Sequence, residues 1–185
     1  MTTIGRGNAA HLEKVEAPGS MLTTTAAKAL AVLRISTGFV FLWAFFDKTF
    51  GWGFATPSAK AWINGGSPTK GFLSSVDVGP TWLQDFFHNI AGTGWANWLF
   101  MLGLAGIGTA LILGIGMRIA AVAGTVMYLM MFAVVLPPDT NPIVDDHIIG
   151  ALAIIALALT SAGDTLGLGR WWKNLPTVQH NPWLI

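Results

Sequence analysis

The sequence contains no cysteine. This absence excludes, for the chain itself, a disulfide framework, a thiolate metal site, a cysteine-bound iron–sulfur cluster and a redox-active dithiol. We therefore expect no intrinsic metal ion or iron–sulfur cluster, and any redox chemistry would depend on a bound cofactor.

Charge is also scarce. Asp, Glu, Lys and Arg make up 10% of the 185 residues and hydrophobic residues make up 53%, whereas ordinary soluble domains are roughly 25% charged. A water-soluble globule of this size would expose too much apolar surface, so the composition predicts a membrane protein. The formal net charge of +1 gives no support for a nucleic-acid partner, which would need a clustered basic face.

Several apolar stretches approach the length of a transmembrane helix, which needs about 20 residues. They are residues 29–46, 95–114, 117–136 and 143–160. The first lies too far behind Glu13 and Glu16 to resemble a cleaved signal peptide. The pattern predicts an all-α integral membrane fold, an antiparallel four-helix transmembrane bundle.

The distribution of basic residues predicts the orientation, because positive charge in short flanking segments stays in the cytoplasm. An even number of spans places both termini on one side. The basic residues predicted on that side are Arg6, Lys14, Lys28, Arg118, Arg170 and Lys173, and those on the other side are Lys48, Lys60 and Lys70. We therefore expect a multi-pass protein of the cell membrane with both termini cytoplasmic.

The chain divides into three predicted parts. Residues 1–23 are polar and form a flexible cytoplasmic tail, residues 24–172 form the four-span membrane domain, and residues 173–185 form a cytoplasmic C-terminal tail. Between the first two spans, residues 47–94 make an outer segment that is too long for a structureless loop. This segment is expected to carry structure of its own.

Two helices are predicted within the outer segment. The stretch SAKAWING reads as a short helix with Ser58 as its N-cap and Gly65 at its end. In PTWLQDFFHNI, the apolar residues Trp82, Phe86 and Phe87 fall at helical spacing and indicate an amphipathic helix. Together these helices are expected to form an outer cap on the membrane surface.

Small residues recur in the second and third spans. Gly106, Ala110 and Gly114 lie four residues apart in the second, and Ala120 and Gly124 lie four apart in the third. Such ridges allow two helices to approach closely in a membrane. Both spans are therefore expected to use these ridges for helix packing.

Arg34 lies inside an apolar run, where an ionisable group is costly and marks either function or a buried partner. One interpretation is structural: the side chain reaches the lipid headgroups or forms an ion pair. The other is that it contacts a ligand. Both interpretations remain open from the sequence.

The stretch NPIVDDHIIGAL opens the fourth span. Asn141 is predicted as the N-cap and Pro142 as the first helical residue, so that Asp145 and Asp146 complement the helix dipole in or near the first turn. Consecutive helical residues diverge by about 100°. Asp145, Asp146 and His147 therefore cannot all bind one metal ion.

A functional interpretation of the same stretch is that Asp146 or His147 turns inward and meets Lys48 at the outer end of the first span. His147 could also exchange protons near neutral pH. Asp47 lies beside Lys48. It can be interpreted as a functional residue or, equally, as half of a charge pair at the membrane interface. Two further residues are predicted to be structural. Tyr128 is expected to pack in the core, and Asp164 is expected to pair with Arg118 or Arg170.

Two stretches resemble the DoxX/DoxD family of small four-helix membrane proteins. VLRISTGFVFLWAFFDKTFG (32–51) resembles the first span of that family, and DDHIIGALAIIALALTSAGDTLGLGRWW (145–172) is similar to its fourth. The outer stretch WINGGSPTKGFL (62–73) looks more like the DoxD branch, which is associated with thiosulfate:quinone oxidoreductase. The resemblance implies a four-helix membrane fold and electron transfer to quinone together with a second subunit.

The function implied by this resemblance is that of a subunit in a quinone-linked, respiratory-chain-associated complex, which passes electrons from thiosulfate or another donor to menaquinone or ubiquinone. Arg34, Lys48, Asp146 and His147 are the candidate headgroup contacts, and Asp146 and His147 the candidate catalytic residues. Lipids and other membrane subunits are the expected partners, with a homo-oligomer left open. The alternative is a non-enzymatic accessory subunit. A small-solute transporter is disfavoured by the lack of inverted halves.

Overall fold

The computed structural model describes residues 23–77, 79–138, 141 and 143–185. Within these ranges every regular element is helical and no strand occurs, so the all-α prediction is confirmed. The helices are α1 (Thr24–Phe50), α2 (Lys70–Leu73), α3 (Thr81–Ile90), α4 (Gly94–Leu113), α5 (Met117–Val134), α6 (Asp146–Leu159), α7 (Gly169–Lys173) and α8 (Pro176–His180). Apart from Thr23, the predicted N-terminal tail lies outside the described residues.

Among the described residues, three helices are long and apolar enough to cross a membrane: α1, α4 and α5. They correspond to the first three predicted spans. Helix α6 has 14 residues, which at about 1.5 Å per residue is shorter than the roughly 30 Å hydrocarbon core. The chain thus has the character of a membrane protein, while its fourth apolar helix is shorter than the predicted span 143–160.

Helix α1 is longer than predicted because both of its ends are capped. The Thr23 hydroxyl accepts a hydrogen bond from the amide of Ala26 at 3.2 Å. At the other end Gly51 adopts a left-handed conformation with φ 69°, and its amide donates to the carbonyl of Asp47. A left-handed glycine after the last turn is a common way to end a helix.

Helices α1 and α4 run antiparallel in close contact through two glycines. A Cβ atom on Gly38 would lie 2.9 Å from the backbone nitrogen of Ile112, and one on Gly108 would lie 2.9 Å from that of Leu42. Contacts this short leave no room for a side chain. The two backbones therefore approach each other as small-residue helix pairs do in membranes.

Helices α5 and α6 form a second antiparallel pair. A Cβ on Gly124 would lie 2.8 Å from Cδ1 of Ile154, so the small residue accommodates a branched side chain of α6. The interior shared by these helices is built from buried apolar side chains: Phe41, Met101, Leu104, Ile107, Leu111, Met117, Ala120, Ile154 and Leu157.

The predicted small-residue ridges are only partly used for packing. Ala120 and Gly124 pack inside, as expected. On α4, however, a Cβ on Gly106 would meet nothing within 4 Å, and Gly106 and Ala110 line an open groove. Gly108 provides the close approach instead, because it faces α1.

The outer segment contains short helical elements. SAKAWING forms two 3₁₀ turns, Ser58–Lys60 and Trp62–Asn64, instead of the single predicted helix. Gly65 ends the second turn with φ 84°, as predicted, but Ser58 is the first residue of its turn and Pro57 precedes it as the cap. Helix α3 is present as predicted, and its Phe87 is buried against Val76 and Val134.

The C-terminal residues fold back onto the start of α5. The amide of Arg118 donates to the carbonyl of Ile185 at 2.7 Å, and its guanidinium donates to the carbonyl of Pro182 at 2.7 Å. The indole of Trp172 donates to the carbonyl of Leu184 at 2.6 Å. Residues 173–185 thus pack at the same end of the helices as the Gly114–Met117 turn.

Candidate functional site

Asp145 begins helix α6. Its Oδ1 accepts hydrogen bonds from the amides of His147 at 3.0 Å and Ile148 at 3.1 Å. The prediction that Asn141 caps this helix is wrong: the Asn141 side chain accepts from the amides of Ile143 and Val144 and closes a separate turn. The predicted role of Pro142 lies outside the described residues.

Asp145 also fixes the imidazole of His147. Its second oxygen, Oδ2, lies 2.6 Å from Nδ1 of His147. A carboxylate can only accept, so Nδ1 carries the proton and Nε2 is left as an acceptor in the neutral ring. One aspartate therefore starts the helix and sets the tautomer of the next polar side chain.

Asp145 precedes the first residue of α6, and its ionised form is favoured there. Burial opposes ionisation, but the hydrogen bonds from His147 and Ile148 outweigh it and lower the pKa of the carboxyl below its ordinary value. The stability that the ionised carboxylate gives to the helix start is present above the unfolded pKa and is lost as the pH falls through the lowered one.

Tyr128 joins this pair from helix α5. Its ring centroid lies 6.2 Å from that of His147 and 5.2 Å from that of Phe41 on α1. Gly150 allows this position, because a Cβ there would lie 2.6 Å from Cζ of Tyr128. Three helices thus meet at the Asp145–His147 pair, and we call this pair together with the neighbouring Tyr128 ring the dyad site.

The prediction that Tyr128 packs in the core is confirmed, because it packs against the buried core cluster. The sequence indicated His147, but not its contacts with Asp145 and Tyr128. The signal that could have found Tyr128 is that it is the only tyrosine in the chain and lies on a helix that faces the histidine-bearing one.

Lys48 and Asp146 are not part of the dyad site. The ammonium of Lys48 lies 6.0 Å from the centre of the Phe100 ring, and within the described ranges it forms no ion pair with Asp146 or His147. Asp146 is the first residue of α6 and is exposed. The predicted meeting of Asp146 or His147 with Lys48 therefore does not occur in this structure.

Asp47 anchors the loop that follows α1. The side chain is 1% exposed, and its two oxygens accept from the amides of Phe54 at 3.3 Å and Ala55 at 3.0 Å. Within the described residues Asp47 forms no direct ion pair. Its carboxylate is committed to two backbone donors of the loop and so ties the loop to the end of α1.

Replacing Asp47 by asparagine is expected to loosen this loop, because the amide NH₂ would face a backbone N–H. We expect a stability loss of about 1–3 kcal/mol and faster amide exchange at Phe54 and Ala55. Hydrogen–deuterium exchange in detergent measures both changes. Asp85→Asn, at an exposed position of α3, is the control, and equal exchange in the two variants would contradict the anchoring role.

Arg34 is completely buried, with 0% exposure. Its guanidinium donates to backbone carbonyls in the last turn of α4 and in the segment that follows α6, and these acceptors are Leu111, Ile112, Ala162, Thr165 and Leu166. The hydrogen bond to the carbonyl of Ile112 is 2.8 Å long and the one to the carbonyl of Thr165 is 3.3 Å long. The side chain forms no ion pair with a carboxylate of the described residues.

These bonds make Arg34 a structural clamp. The last carbonyls of a helix lack partners within it and carry the negative end of the helix dipole, so a cation there is favourable. All five N–H groups of the guanidinium have acceptors, which leaves none for a ligand headgroup. Gly114 and Gly167 provide the space, since a Cβ on either would lie 3.0 Å or 2.9 Å from the guanidinium.

Asp164 pairs with Lys173 at 2.8 Å. The prediction that Asp164 pairs with Arg118 or Arg170 is therefore wrong. The difference arises because α7 returns Lys173 to the end of α6, a turn that spacing alone does not reveal. The other oxygen of Asp164, Oδ1, is buried and has no hydrogen-bond partner among the described residues.

Within the described ranges, no group of three or more His, Asp or Glu side chains could hold a metal ion. The dyad site itself offers an imidazole that is oriented by a carboxylate and lies beside a phenol ring, groups that can exchange protons. The resemblance to DoxX/DoxD proteins stays a prediction. No protein-family model matches the chain, and neither does any curated protein or solved structure compared with it.

Proposed function

We propose that this chain is an integral membrane subunit of a quinone-linked redox complex, and that the dyad site exchanges protons with the quinone. The observation that carries the proposal is the 2.6 Å contact between Asp145 and His147, which leaves Nε2 as a proton acceptor. The similarity of residues 32–51 and 145–172 to DoxX/DoxD spans supports it. The proposed electron donor is thiosulfate or another reductant bound by a partner subunit.

The membrane arrangement is part of the same proposal. Helix α6 is taken as the fourth member of a transmembrane bundle with α1, α4 and α5, because it packs antiparallel to α5 and contributes Ile154 and Leu157 to the common interior. Both termini are placed in the cytoplasm on the basis of the basic residues. The segment 47–94 is proposed to cap the outer end, where the dyad site lies.

The dyad site fits a quinone headgroup in its chemistry. The neutral imidazole Nε2 can accept a hydrogen bond from a quinol hydroxyl, and the protonated ring can donate one to a quinone oxygen. The rings of Phe41 and Tyr128 offer aromatic surface beside it. A bound quinone would supply two-electron, two-proton chemistry. His147 would hold one proton at Nε2, and Asp145 would stabilise the resulting imidazolium as a hydrogen-bond acceptor.

Replacing His147 by glutamine is expected to lower quinone-dependent thiosulfate oxidation by roughly 10²-fold or more, since glutamine cannot exchange a proton at neutral pH. Asp145→Asn should lower it as well, because asparagine still caps the helix but cannot stabilise an imidazolium. The rates are measured in membranes that contain the complete complex.

The control is Asp146→Asn, which changes the adjacent, exposed carboxylate. It is expected to leave the rate unchanged. Equal rates in wild type, His147→Gln and Asp145→Asn, with normal protein levels, would contradict proton exchange at the dyad site.

A second function, that of a non-enzymatic accessory subunit, is favoured by the exposed apolar side chains of the outer segment. Phe54 is 73% exposed, Trp82 69% and Ile63 61%. Large exposed apolar residues grouped on one segment are typical of interaction sites. Copurification in gentle detergent separates the two functions: a stoichiometric complex whose turnover survives the dyad-site substitutions supports the accessory role.

A further inference from the structure

Two concave regions meet at Trp172, at the end of the helices where α4 connects to α5. The first is an apolar groove of about 600 Å³ between α4 and α5, which we call the chain groove. The second is a cavity of about 260 Å³ between the start of α5 and the end of α6, which we call the headgroup cavity. The indole of Trp172 lines both, so one molecule could occupy them together.

The chain groove is shaped for hydrocarbon. Small residues of both helices form its floor, among them Gly106, whose position would admit a Cβ without any contact within 4 Å. Leu102 and Ile119 at its sides are 62% and 44% exposed, so the groove opens to the surface of the helix pair. In a bilayer that surface faces lipid, and an apolar groove there takes an apolar chain.

The headgroup cavity is partly polar, and its lining carries both signs of charge. Arg118 and Lys173 provide cationic donors, and among the described residues a single guanidinium N–H of Arg118 has a protein acceptor, the carbonyl of Pro182. Asp164 also lines the cavity; its side chain is 28% exposed and its Oδ2 binds Lys173, while Oδ1 is buried against Gly169. The cavity thus has cationic donors to offer and a carboxylate at its wall.

The cavity lies at one end of the long apolar helices, the level at which a membrane surface is expected. It lies where the apolar helices α4 and α5 connect, next to Trp171 and Trp183, which are 57% and 62% exposed. Tryptophan side chains gather at the depth of lipid headgroups. A headgroup at this level could place its acyl chain in the adjoining groove.

We propose that the chain groove and the headgroup cavity together bind one glycerophospholipid whose headgroup carries a primary amine. Its phosphate lies by Arg118 and Lys173, its ammonium donates to Asp164, and one acyl chain fills the groove beside Gly106. The site is separate from the dyad site and does not depend on the proposed redox function.

The test uses the full chain, purified in gentle detergent, stripped of lipid and offered phosphatidylethanolamine, phosphatidylcholine or phosphatidylglycerol. Native mass spectrometry counts the bound lipid. We expect one phosphatidylethanolamine per chain, retained at least about tenfold better than the other two lipids, a difference of about 1.4 kcal/mol. Asp164→Asn should abolish that preference, and Arg118→Gln should weaken binding of all three.

Gly106→Leu tests the groove, because the new side chain enters open space and should exclude the acyl chain while the fold is retained, as a thermal melt verifies. Arg170→Gln removes a neighbouring exposed charge that does not line the cavity and is expected to change nothing. Equal retention of all three lipids, or a preference for phosphatidylglycerol, would overturn the amine assignment.

Two further outcomes would overturn the lipid itself as the occupant. One is inorganic phosphate alone displacing the retained lipid at equal concentration, which would indicate a free-anion site. The other is a dimer in detergent that Gly106→Leu dissociates, which would indicate that a second copy fills the groove.

Discussion

Replacing Arg34 by lysine is expected to lower the free energy of unfolding by about 3–5 kcal/mol, in the range seen when a buried charge loses its partners. Lysine keeps the positive charge but has three donors on one atom, so it cannot reach both the carbonyls in the last turn of α4 and those at residues 162–166. Carbonyls left unpaired in the interior each cost about 1–3 kcal/mol. Unfolding in mixed detergent, followed by circular dichroism, measures the loss.

The matched control is Arg170→Lys, at an exposed arginine on α7, where a surface substitution should stay within about 0.5 kcal/mol. If Arg34→Lys were as stable as wild type but lost bound quinone, Arg34 would be a ligand contact and the clamp would be wrong. Easier unfolding of the Arg34→Lys variant than of the Arg170→Lys variant would support the clamp.

Two substitutions on α4 are expected to change stability in opposite directions. Gly108→Ala places a methyl group 2.9 Å from the backbone nitrogen of Leu42, and overpacking of this kind costs about 1–3 kcal/mol. Gly106→Ala meets nothing within 4 Å and gains up to about 1 kcal/mol of helix propensity. Each variant adds one carbon atom to the same helix, so the two differ only in the position of the added methyl group.

The comparison is made by the same detergent unfolding titration, with both variants at equal protein concentration. A loss for Gly108→Ala together with no loss for Gly106→Ala supports the close contact of α1 and α4. Equal destabilisation by both would show that the groove side of α4 is also packed and would contradict the open groove, whereas unchanged stability in Gly108→Ala would contradict the close helix contact.

The long helices could be predicted from the sequence because their signal is local. Apolar runs mark α1, α4 and α5, and two glycines mark the turn between α4 and α5. The start of α6 was misplaced because Asn141 and Asp145 are both good N-cap residues. Each caps a turn in the structure, and the sequence does not say which turn continues as a helix.

The role of Arg34 could not be predicted for a different reason. Its acceptors are backbone carbonyls between 77 and 132 residues away in the sequence, and carbonyls carry no sequence signature. The prediction of an ion pair required a carboxylate partner, because a sequence identifies carboxylate side chains but not the backbone carbonyls that a side chain will meet. A structural role for Arg34 was thus one of the predicted alternatives, but hydrogen bonding to backbone carbonyls was not.

The dyad site was half predicted. His147 stands out by its residue type, whereas the choice of Asp145 over Asp146 as its partner depends on where α6 begins. Lys48 was expected nearby because it lies at the same end of the chain's apolar helices, but its side chain turns to Phe100. Proximity along a membrane normal does not determine which face of a helix a residue occupies.

The quinone content of the protein, purified in gentle detergent with its partner subunits, tests the central claim most directly. We predict about one quinone per chain in wild type and in Asp146→Asn, and a marked loss in His147→Gln at equal folded protein. Absence of quinone from the wild-type preparation, together with no quinone-dependent thiosulfate oxidation, would contradict the proposed function.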